Sequence, residues 1–389
     1  MELYNYQKEA IAKATASLIS HKYFAMFCDM GTGKTVMALA TIASIPDIAS
    51  VLIVAPKSII HQWRDTVDKW NETLKLKDAA LSIEYSTYES LHKVSRTYYS
   101  YIILDESVRI KNDKTLIWKR LTAIDTKYKL ILNGCPVADS PMDIFNQFKW
   151  LDSTLFGVSS KVFELRYAYN LDLLRERIKD VSAVISINDV INALPDKFVH
   201  TLREPVYTPA IISKSTAIED IPAIMTNKDV LLTKIILLDK IIKDLDDKHA
   251  IIFTTYRKEA ELVAAYCYDE KLSYEIITGD SSDAGREDAV QKFQSRNAQI
   301  LILQIKCGQF GLNLESAHNA IYFSLMYSYT AFTQSQARIY RLGQHNDCHY
   351  YILLATIVDD TIWNCLQHKQ SFTAKYFEAL KEKYIEGDK

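Results

Sequence analysis

Apolar residues along this chain fall into two series of short runs, separated by stretches with helical periodicity. Runs of three to six β-branched or aromatic residues of this kind predict buried strands of parallel sheets, with helices as the crossovers. The first series comprises residues 23–27, 50–55, 101–104 and 130–132, and the second comprises 250–253, 274–277, 300–303, 320–323 and 350–354. We therefore expect an α/β fold with two mostly parallel sheets, each flanked by helices.

The segment between the two series has a different character. Residues 141–179 favour helix, an irregular stretch follows around 193–197, and residues 230–238 predict a helix that leads into the second series. We interpret the chain as two lobes, residues 1–160 and 230–389, joined by a partly helical connector over 161–229.

Composition favours a globular intracellular protein. Of the 389 residues, 48% are hydrophobic, which supports cores in two domains of ordinary size. The six cysteines are scattered without a CxxC pair, which argues against a disulfide framework or a stable metal cluster and for a reducing compartment. The N-terminus lacks the pattern of a signal peptide, and no apolar run approaches the ~20 residues of a membrane span. We expect a cytoplasmic protein without a membrane partner.

The charge balance is nearly neutral, with 46 basic and 48 acidic residues and a net charge of −2. A basic surface is the usual footprint of nucleic-acid binding, so the balance alone argues against such a partner. A protein that grips a phosphate backbone through loop N–H groups, hydroxyls and a few basic side chains needs no net positive charge. Neutrality therefore does not exclude DNA.

The most informative polar stretch follows the first apolar run and reads Asp29-Met30-Gly31-Thr32-Gly33-Lys34-Thr35. Glycines allow backbone N–H groups to wrap a phosphate, and a helix N-terminus adds a favourable dipole. Lys34 would contact the β- and γ-phosphates, and the Thr35 hydroxyl would contact Mg²⁺. The generic pattern has a glycine five residues before Gly33, where this chain has Cys28. The stretch from Met30 to Thr35 predicts a nucleotide-binding P-loop.

A second chemical signal is the pair Asp105-Glu106, which directly follows the apolar run at 101–104. Open parallel sheets bind ligands at the carboxyl ends of their strands. Asp105 is therefore expected to hold Mg²⁺ through water, and Glu106 to polarise the water that attacks a γ-phosphate. A solvated acidic turn is the alternative interpretation, and the P-loop upstream favours the catalytic one.

Two arginines near the C-terminus, Arg338 and Arg341, are spaced by three residues within 334–341. This spacing predicts one face of a helix, which could be an ordinary exposed basic face. The chemical interpretation is a pair of arginine fingers, because planar guanidinium groups suit several phosphate oxygens at once. Comparable fingers contribute on the order of 10³–10⁵ in turnover.

Further segments occur in order with these motifs. They are Leu3-Tyr4-Asn5-Tyr6-Gln7, Ile53-Val54-Ala55-Pro56-Lys57-Ser58 with Trp63, Tyr85-Ser86-Thr87-Tyr88-Glu89, Asn133-Gly134-Cys135-Pro136, Thr278-Gly279-Asp280, the run from Gly308 to Leu314, and Arg341-Leu342-Gly343-Gln344. The ordered series resembles the superfamily-two helicase-type ATPases of the Swi/Snf group, the chromatin-remodeller-like translocases on duplex DNA.

This resemblance implies two RecA-like lobes that bind ATP and Mg²⁺ in the cleft between them. It implies Gln7 as the adenine reader, with Gly311 and Asn313 as further ATP contacts. Trp63 would accompany a DNA-facing loop. The catalytic set would be Lys34, Asp105, Glu106, Arg338 and Arg341. Sequence-independent contacts to DNA, with duplex favoured, would come from Lys57, Ser58, Ser86, Thr87, Thr254, Thr278, Gly279, Lys306 and Cys307; ordinary loop solvation is the alternative for each of them.

Several positions depart from the family pattern. Asn133 and Cys135 replace hydroxyl residues in the motif that couples the ATP state to lobe movement, and Val108 and Tyr340 stand where histidines are common. The compact core is compatible with a phage protein in the host cytoplasm. Three functions remain open at this point: a DNA-stimulated translocase, a strand-separating or branch-migrating helicase, and a nucleotide switch that hardly hydrolyses ATP. The sequence leaves the oligomeric state open.

Overall fold

Two compact units make up the protein. A computed structural model describes residues 3–74, 76, 81–134, 140, 142–157, 159–186, 195–206, 221–305, 312, 314–341 and 344–380. The first unit is Met1–Asn192 with Ser371–Lys389, and the second is Ala193–Gln370. Each unit contains one sheet of six strands.

The sheet of the first unit is parallel throughout. Its strands are β1 (Tyr23–Cys28), β2 (Ser50–Val54), β3 (Ser82–Ser86), β4 (Tyr98–Asp105), β5 (Asp125–Asn133) and β6 (Ser182–Ile185). They lie in the order β3-β2-β4-β5-β1-β6, with every neighbouring pair parallel. The carboxyl ends of β4, β5 and β1 therefore lie side by side at one edge of the sheet.

Helices cover both faces of this sheet. They are α1 (Asn5–His21), α2 (Lys34–Ser44), α3 (Ile60–Leu74), α4 (Leu116–Thr122), α5 (Asp143–Leu151), α6 (Ser160–Phe163) and α7 (Leu171–Ile178). Alternate residues of β1 enter two apolar clusters, since successive side chains of a strand point to opposite faces. Phe27 packs in a cluster with Phe148 of α5, whereas Phe24 and Met26 pack in a cluster with Leu39 of α2.

The second unit has the same kind of sheet. Its strands are β7 (Lys197–Arg203), β8 (Ala250–Thr254), β9 (Tyr274–Ile277), β10 (Ile300–Gln304), β11 (Asn319–Tyr322) and β12 (Cys348–Leu354), in the order β7-β12-β11-β8-β10-β9. All neighbouring pairs are parallel. Its helices are α8 (Ile221–Met225), α9 (Lys228–Asp244), α10 (Arg257–Asp269), α11 (Asp283–Gln294), α12 (Tyr329–Gln336) and α13 (Ile357–Leu380).

The expected fold class is confirmed, and each predicted apolar run lies in a strand, except that residues 55 and 323 fall just beyond β2 and β11. Three strands had no predicted counterpart, namely β3, β6 and β7, and all three are edge strands. Two of them, β6 and β7, come from the stretch 161–229 that was interpreted as a connector. That stretch therefore supplies one edge strand to each sheet.

Within the part of the chain that the structure describes, no helix combines the length and the apolar character needed to cross a bilayer.

Candidate functional site

The loop between β1 and α2 forms the centre of the candidate site. Gly31 and Gly33 have φ values of +85° and +84°, in the left-handed region that glycine adopts most easily. Gly33 is also the N-cap of α2, so the N–H groups of the first helical turn face the loop. A Cβ atom on Gly33 would lie 2.4 Å from Nε2 of Gln7. Only glycine fits this position while Gln7 keeps its place.

Gln7, the predicted adenine reader, is buried and bonded to this loop. Its Nε2 donates to the carbonyl oxygen of Thr32 at 3.1 Å, and the hydroxyl of Tyr6 donates to the same oxygen at 2.9 Å. The Oε1 of Gln7 accepts the backbone N–H of Tyr4 at 3.0 Å. The Thr32 hydroxyl in turn donates to the carbonyl of Asp29 at 2.8 Å. Gln7 therefore holds the shape of the phosphate loop, a contact that the sequence motif does not reveal.

Lys34 is the first residue of α2, and its ammonium group donates to the carbonyl oxygen of Cys28 at 2.8 Å. A Cβ atom on Gly134, just beyond β5, would lie 3.2 Å from this ammonium group, so the glycine leaves room for the lysine. Burial raises the pKa of the Cys28 thiol to about 12, so the thiol stays neutral. Met30 in the loop and Thr35 in the first turn of α2, also predicted nucleotide contacts, are half-buried.

Asp105 ends β4 in a buried position. Its Oδ2 accepts the indole N–H of Trp63 at 2.9 Å, and its Oδ1 accepts the N–H of Glu106 at 2.9 Å. The Tyr88 hydroxyl donates to the Asp105 carbonyl at 2.7 Å. Burial raises the pKa of Asp105, while the charge of Lys34 and the two N–H donors act in the opposite direction. The structure thus provides a buried carboxylate that is oriented from two sides.

Trp63 lies on α3, the helix that follows the predicted DNA-facing loop, with 1% of its surface exposed. Its indole is committed to Asp105, and the two residues are 42 positions apart in sequence. This long-range contact has no local signal in the sequence.

Glu106 occupies a left-handed conformation, with φ of +54° and ψ of +51°. It precedes a short 3₁₀ helix, Ser107–Ile110. A non-glycine residue in this region costs roughly 1–2 kcal/mol, and such conformations often occur at functional sites. The turn directs Glu106 away from the line of β4 immediately after Asp105.

Asp105 and the Thr35 hydroxyl supply oxygen donors of the kind that Mg²⁺ prefers. A carboxylate with a pKa raised by burial is one whose charged form a nearby cation would stabilise. The two residues therefore fit a magnesium ion that accompanies nucleotide phosphates.

In the second unit, the predicted helix through the two arginines is wrong. Helix α12 ends at Gln336, and Arg338 and Arg341 lie in the turns that follow. The Gln336 carbonyl accepts the Tyr350 hydroxyl at 2.8 Å and the N–H of Tyr340 at 3.2 Å. These bonds satisfy the end of the helix and allow the chain to turn.

The two arginines have different surroundings. Burial lowers the pKa of Arg341, and the charge of Glu315 acts in the opposite direction. The buried Nε of Arg341 has no hydrogen-bond partner among the described residues. A buried donor of this kind is unusual and suits an anionic acceptor. Arg338 donates from Nη1 to the Leu312 carbonyl at 3.4 Å, and its own carbonyl accepts the N–H of Leu314 at 3.3 Å.

The turn that carries Arg341 is organised by a buried amide, Gln344, whose role sequence reasoning missed. Gln344 is 5% exposed and closes the last of the sequence motifs. Its Nε2 lies within hydrogen-bonding distance of the carbonyls of Glu315, Ala317 and Ile339. Its Oε1 accepts the backbone N–H groups of His345 and Asn346. A single side chain therefore fixes three segments of backbone around the turn.

The predicted DNA contacts of the first unit gather where β2 and β3 end side by side. Lys57 is exposed just after β2. The Ser86 hydroxyl donates to the Thr87 carbonyl at 3.1 Å, and the Thr87 hydroxyl donates to Ser90 Oγ at 3.0 Å. The side chain of Ser58 lies outside the described part of the structure. A role in DNA binding stays a prediction for all four.

In the second unit, the predicted DNA contacts follow β8 and β9. Thr254 is fully buried at the end of β8, and its hydroxyl has no partner among the described residues. The Gly279 N–H donates to Gln304 Oε1 at 3.3 Å, and Arg286 donates to the Thr278 carbonyl at 3.3 Å. The first bond connects the ends of β9 and β10, and the second connects α11 to the end of β9. The remaining predicted residues, Lys306, Cys307, Gly311 and Asn313, lie outside the described residues.

Comparison with protein families decides the family of this chain. A family model described as the SNF2-related domain matches residues 6–96 and 79–205, which together are more than half of the chain. The chain belongs to the SNF2-related family. A second model, the helicase conserved C-terminal domain, matches residues 233–343 of this SNF2-related protein. The first match includes the phosphate loop and Asp105-Glu106, and the second includes Arg338 and Arg341. The resemblance expected from the motifs is confirmed.

Relatives of this SNF2-related protein share low sequence identity with it. A RAD54-like DNA repair and recombination protein of Gallus gallus is 20% identical, over 89% of this chain and 63% of its own length. The ISWI chromatin-remodeling complex ATPase ISW2 of Saccharomyces cerevisiae is 22% identical, over 86% of this chain and 37% of its own length. The chain thus spans between about a third and two thirds of the length of these curated relatives.

Among solved structures, the SWI2/SNF2 ATPase core of Sulfolobus solfataricus in complex with dsDNA is similar to this chain. The match covers 96% of this chain and 92% of that one, at 22% identity and a TM-score of 0.47.

Proposed function

We propose that this SNF2-related protein is an ATP-driven DNA motor. It hydrolyses ATP to ADP and phosphate, is stimulated by DNA, and translocates along it, with duplex as the favoured substrate. The observation that carries the proposal lies at the edge of the first sheet, where the ammonium group of Lys34 bonds to the Cys28 carbonyl at the end of β1 and its charge acts on Asp105 at the end of β4.

In this proposal Lys34 exchanges its bond with the Cys28 carbonyl for bonds with the β- and γ-phosphates. The bond to the neutral carbonyl has only an ionised donor, whereas a bond to a phosphate oxygen joins two opposite charges, so the exchange favours nucleotide binding. Glu106, in its left-handed turn, polarises the attacking water. The base lies near Gln7, which ties base recognition to the loop through Thr32.

Mg²⁺ is part of the proposal. Thr35 and Asp105 would hold the ion, which when bound neutralises charge on the phosphates. Trp63 and the Glu106 N–H favour the ionised form of Asp105 and fix the orientation of its carboxylate. Asp105 must be ionised for this task, so the two donors support catalysis without contacting the nucleotide.

Arg338 and Arg341 are proposed to stabilise the charge that develops on the γ-phosphate. The orphaned Nε of Arg341 supports this role, because a phosphate oxygen would satisfy it. DNA would be held through its phosphates, which suits sequence-independent binding. The proposed contacts are Lys57, Ser58, Ser86, Thr87, Thr254, Thr278, Gly279, Lys306 and Cys307.

The test of this proposal is the rate of steady-state ATP hydrolysis, measured without nucleic acid and then with single-stranded DNA, duplex DNA, forked DNA or RNA. We expect duplex DNA to stimulate turnover most, and the absence of stimulation by any nucleic acid would refute it. Triplex displacement is then compared with unwinding of a fork. Displacement without unwinding supports the translocase, and efficient unwinding favours a strand-separating helicase instead.

The arginine role is tested by comparing Lys34→Ala with Arg341→Ala. Both should abolish turnover, with a loss on the order of 10³-fold or more for Arg341→Ala. Only Lys34→Ala should also weaken nucleotide binding strongly, measured by titration with a fluorescent ATP analogue. Near-normal turnover in Arg341→Ala would contradict a catalytic role for the second unit. ATP binding without hydrolysis in the unaltered protein would favour a nucleotide switch.

A further inference from the structure

A buried amide outside the predicted site, Gln147 of α5, connects two loops of that site. Its Oε1 accepts the Ser107 hydroxyl at 2.7 Å and the Asn133 amide at 3.3 Å, and its Nε2 donates to the Asp143 carbonyl at 2.7 Å. Gln147, Ser107 and Asn133 are all completely buried. Buried polar groups of this kind are costly unless they are paired, so the three side chains specify one another's positions.

The two side-chain partners of Gln147, Ser107 and Asn133, lie in segments that border the proposed site. Ser107 directly follows Glu106 and begins the 3₁₀ helix. Asn133 ends β5 and precedes Gly134, the residue that leaves room for the Lys34 ammonium group. The amide therefore lies between the segment beside the phosphate-binding lysine and the turn that holds the water-polarising glutamate.

Helix α5 makes further bonds to the segment that follows Glu106. Asn146 donates to the Lys111 carbonyl at 2.7 Å, and Lys149 forms an ion pair with Asp113 at 2.8 Å. These contacts are half-exposed, unlike the Gln147 contacts. The helix thus supports the whole segment, and Gln147 connects this support to Asn133 at the end of β5.

We propose that Gln147 is a positioning residue that couples the Lys34 side of the site to Glu106. A displacement of residues 133–134 caused by phosphate binding at Lys34 would be transmitted through the Gln147 amide to Ser107, and so to the glutamate. Asn133 departs from the hydroxyl residue of the family pattern, and in this proposal its amide pairs with the amide of Gln147. This inference rests on the proposed function, since it assigns Gln147 a task in ATP hydrolysis.

The test is Gln147→Met, which keeps side-chain length but removes the amide. We expect kcat to fall on the order of 10- to 100-fold, while the affinity for ATP stays about unchanged, because the phosphate loop is intact. Ser107→Ala should give a similar loss. The double variant should be no worse than either single one, because both remove the same connection. Additive losses would contradict the coupling.

Ser100→Ala is the matched control. Ser100 is a buried hydroxyl at the opposite end of the same strand, β4, where it accepts the N–H groups of Ala49 and Ser50. Its loss should lower stability by a comparable amount and leave kcat unchanged. If Ser100→Ala and Gln147→Met lower kcat equally, Gln147 has only a structural role.

Hydrogen exchange separates this inference from the proposed function. Amide exchange over residues 106–111 should become faster in Gln147→Met and remain unchanged in Ser100→Ala, whether or not the protein hydrolyses ATP. If the protein has no ATPase activity but shows this exchange pattern, the proposed function is refuted, whereas the role of Gln147 in positioning residues 106–111 is supported. Unchanged exchange and unchanged kcat in Gln147→Met would overturn the inference.

Discussion

Replacement of Gly33 by alanine tests the close contact between the phosphate loop and Gln7. The new Cβ atom would stand 2.4 Å from Gln7 Nε2, so the Gln7 side chain must leave its place. Gln7 would then lose its bonds to the Thr32 carbonyl and the Tyr4 N–H. The alanine must also adopt a φ near +84°, which costs roughly 1–2 kcal/mol by itself.

Gly157→Ala separates the two costs. Gly157 lies in the same unit and has a φ of +75°, but no atom lies within 4 Å of its would-be Cβ. It therefore reports the backbone cost alone. Two lost hydrogen bonds at about 1 kcal/mol each make Gly33→Ala less stable than Gly157→Ala by about 2 kcal/mol. With a urea m-value of about 2 kcal/mol/M, the midpoints should differ by about 1 M.

Urea unfolding of each variant measures this difference in stability. A titration with ATP measures the effect of each variant on nucleotide affinity. Gln7→Ala removes the obstructing group, so adding Gly33→Ala to it should cost only the backbone term. ATP affinity should fall in Gly33→Ala and stay normal in Gly157→Ala. Equal midpoints for the two glycine variants, or a full Gly33→Ala cost in the Gln7→Ala background, would refute the reasoning.

Two further predictions concern buried charges. Trp63→Phe removes an N–H donor that lowers the pKa of Asp105, so the acid limb of the pH–rate profile should move to higher pH. Trp70 is a buried tryptophan on the same helix, and Trp70→Phe should leave the acid limb in place. Lys234→Met breaks a fully buried 2.7 Å ion pair with Asp359 and should cost about 3–5 kcal/mol in urea unfolding, whereas Lys234→Met with Asp359→Asn should cost less. An unmoved acid limb, or a double variant as unstable as Lys234→Met, would contradict these expectations.

The inner strands and the edge strand β9 could be predicted from sequence, whereas the other three edge strands were missed. Strands such as β2 are buried on both faces and therefore contain continuous apolar runs. Strand β7 contains Lys197, His200 and Arg203 and is largely exposed, and β3 is exposed or half-buried over most of its length. An edge strand requires neither a continuous run nor strict alternation, so its pattern resembles that of a loop.

The candidate site divides in a similar way. The phosphate loop and Asp105-Glu106 are local motifs, because adjacent residues share one turn of backbone. The residues that hold them in place act over long sequence separations: Trp63 reaches Asp105, and Gln147 reaches Ser107 and Asn133. A tryptophan or glutamine in a helix carries no mark of such a contact. Only the fold brings these partners together.

The end of the helix before Arg338 was missed for a related reason. The residues after Gln336 are compatible with helix, and local propensity is a weak guide where tertiary bonds compete. Here the Tyr350 hydroxyl satisfies the Gln336 carbonyl, and the amide of Gln344 lies against the Ile339 carbonyl. Tyr350 lies 14 residues beyond Gln336, so its contribution is not visible in the local pattern around the arginines.

The two edge strands supplied by residues 161–229 decide where this protein can be divided. Cutting at 160 and 229 would remove β6 from one half and β7 from the other, leaving two five-stranded sheets. A cut between Ser186 and Pro195 keeps six strands in each half, because β6 ends at Ile185 and β7 begins at Lys197. A two-piece version of this protein, expressed as separate polypeptides and mixed, should therefore be divided at that point.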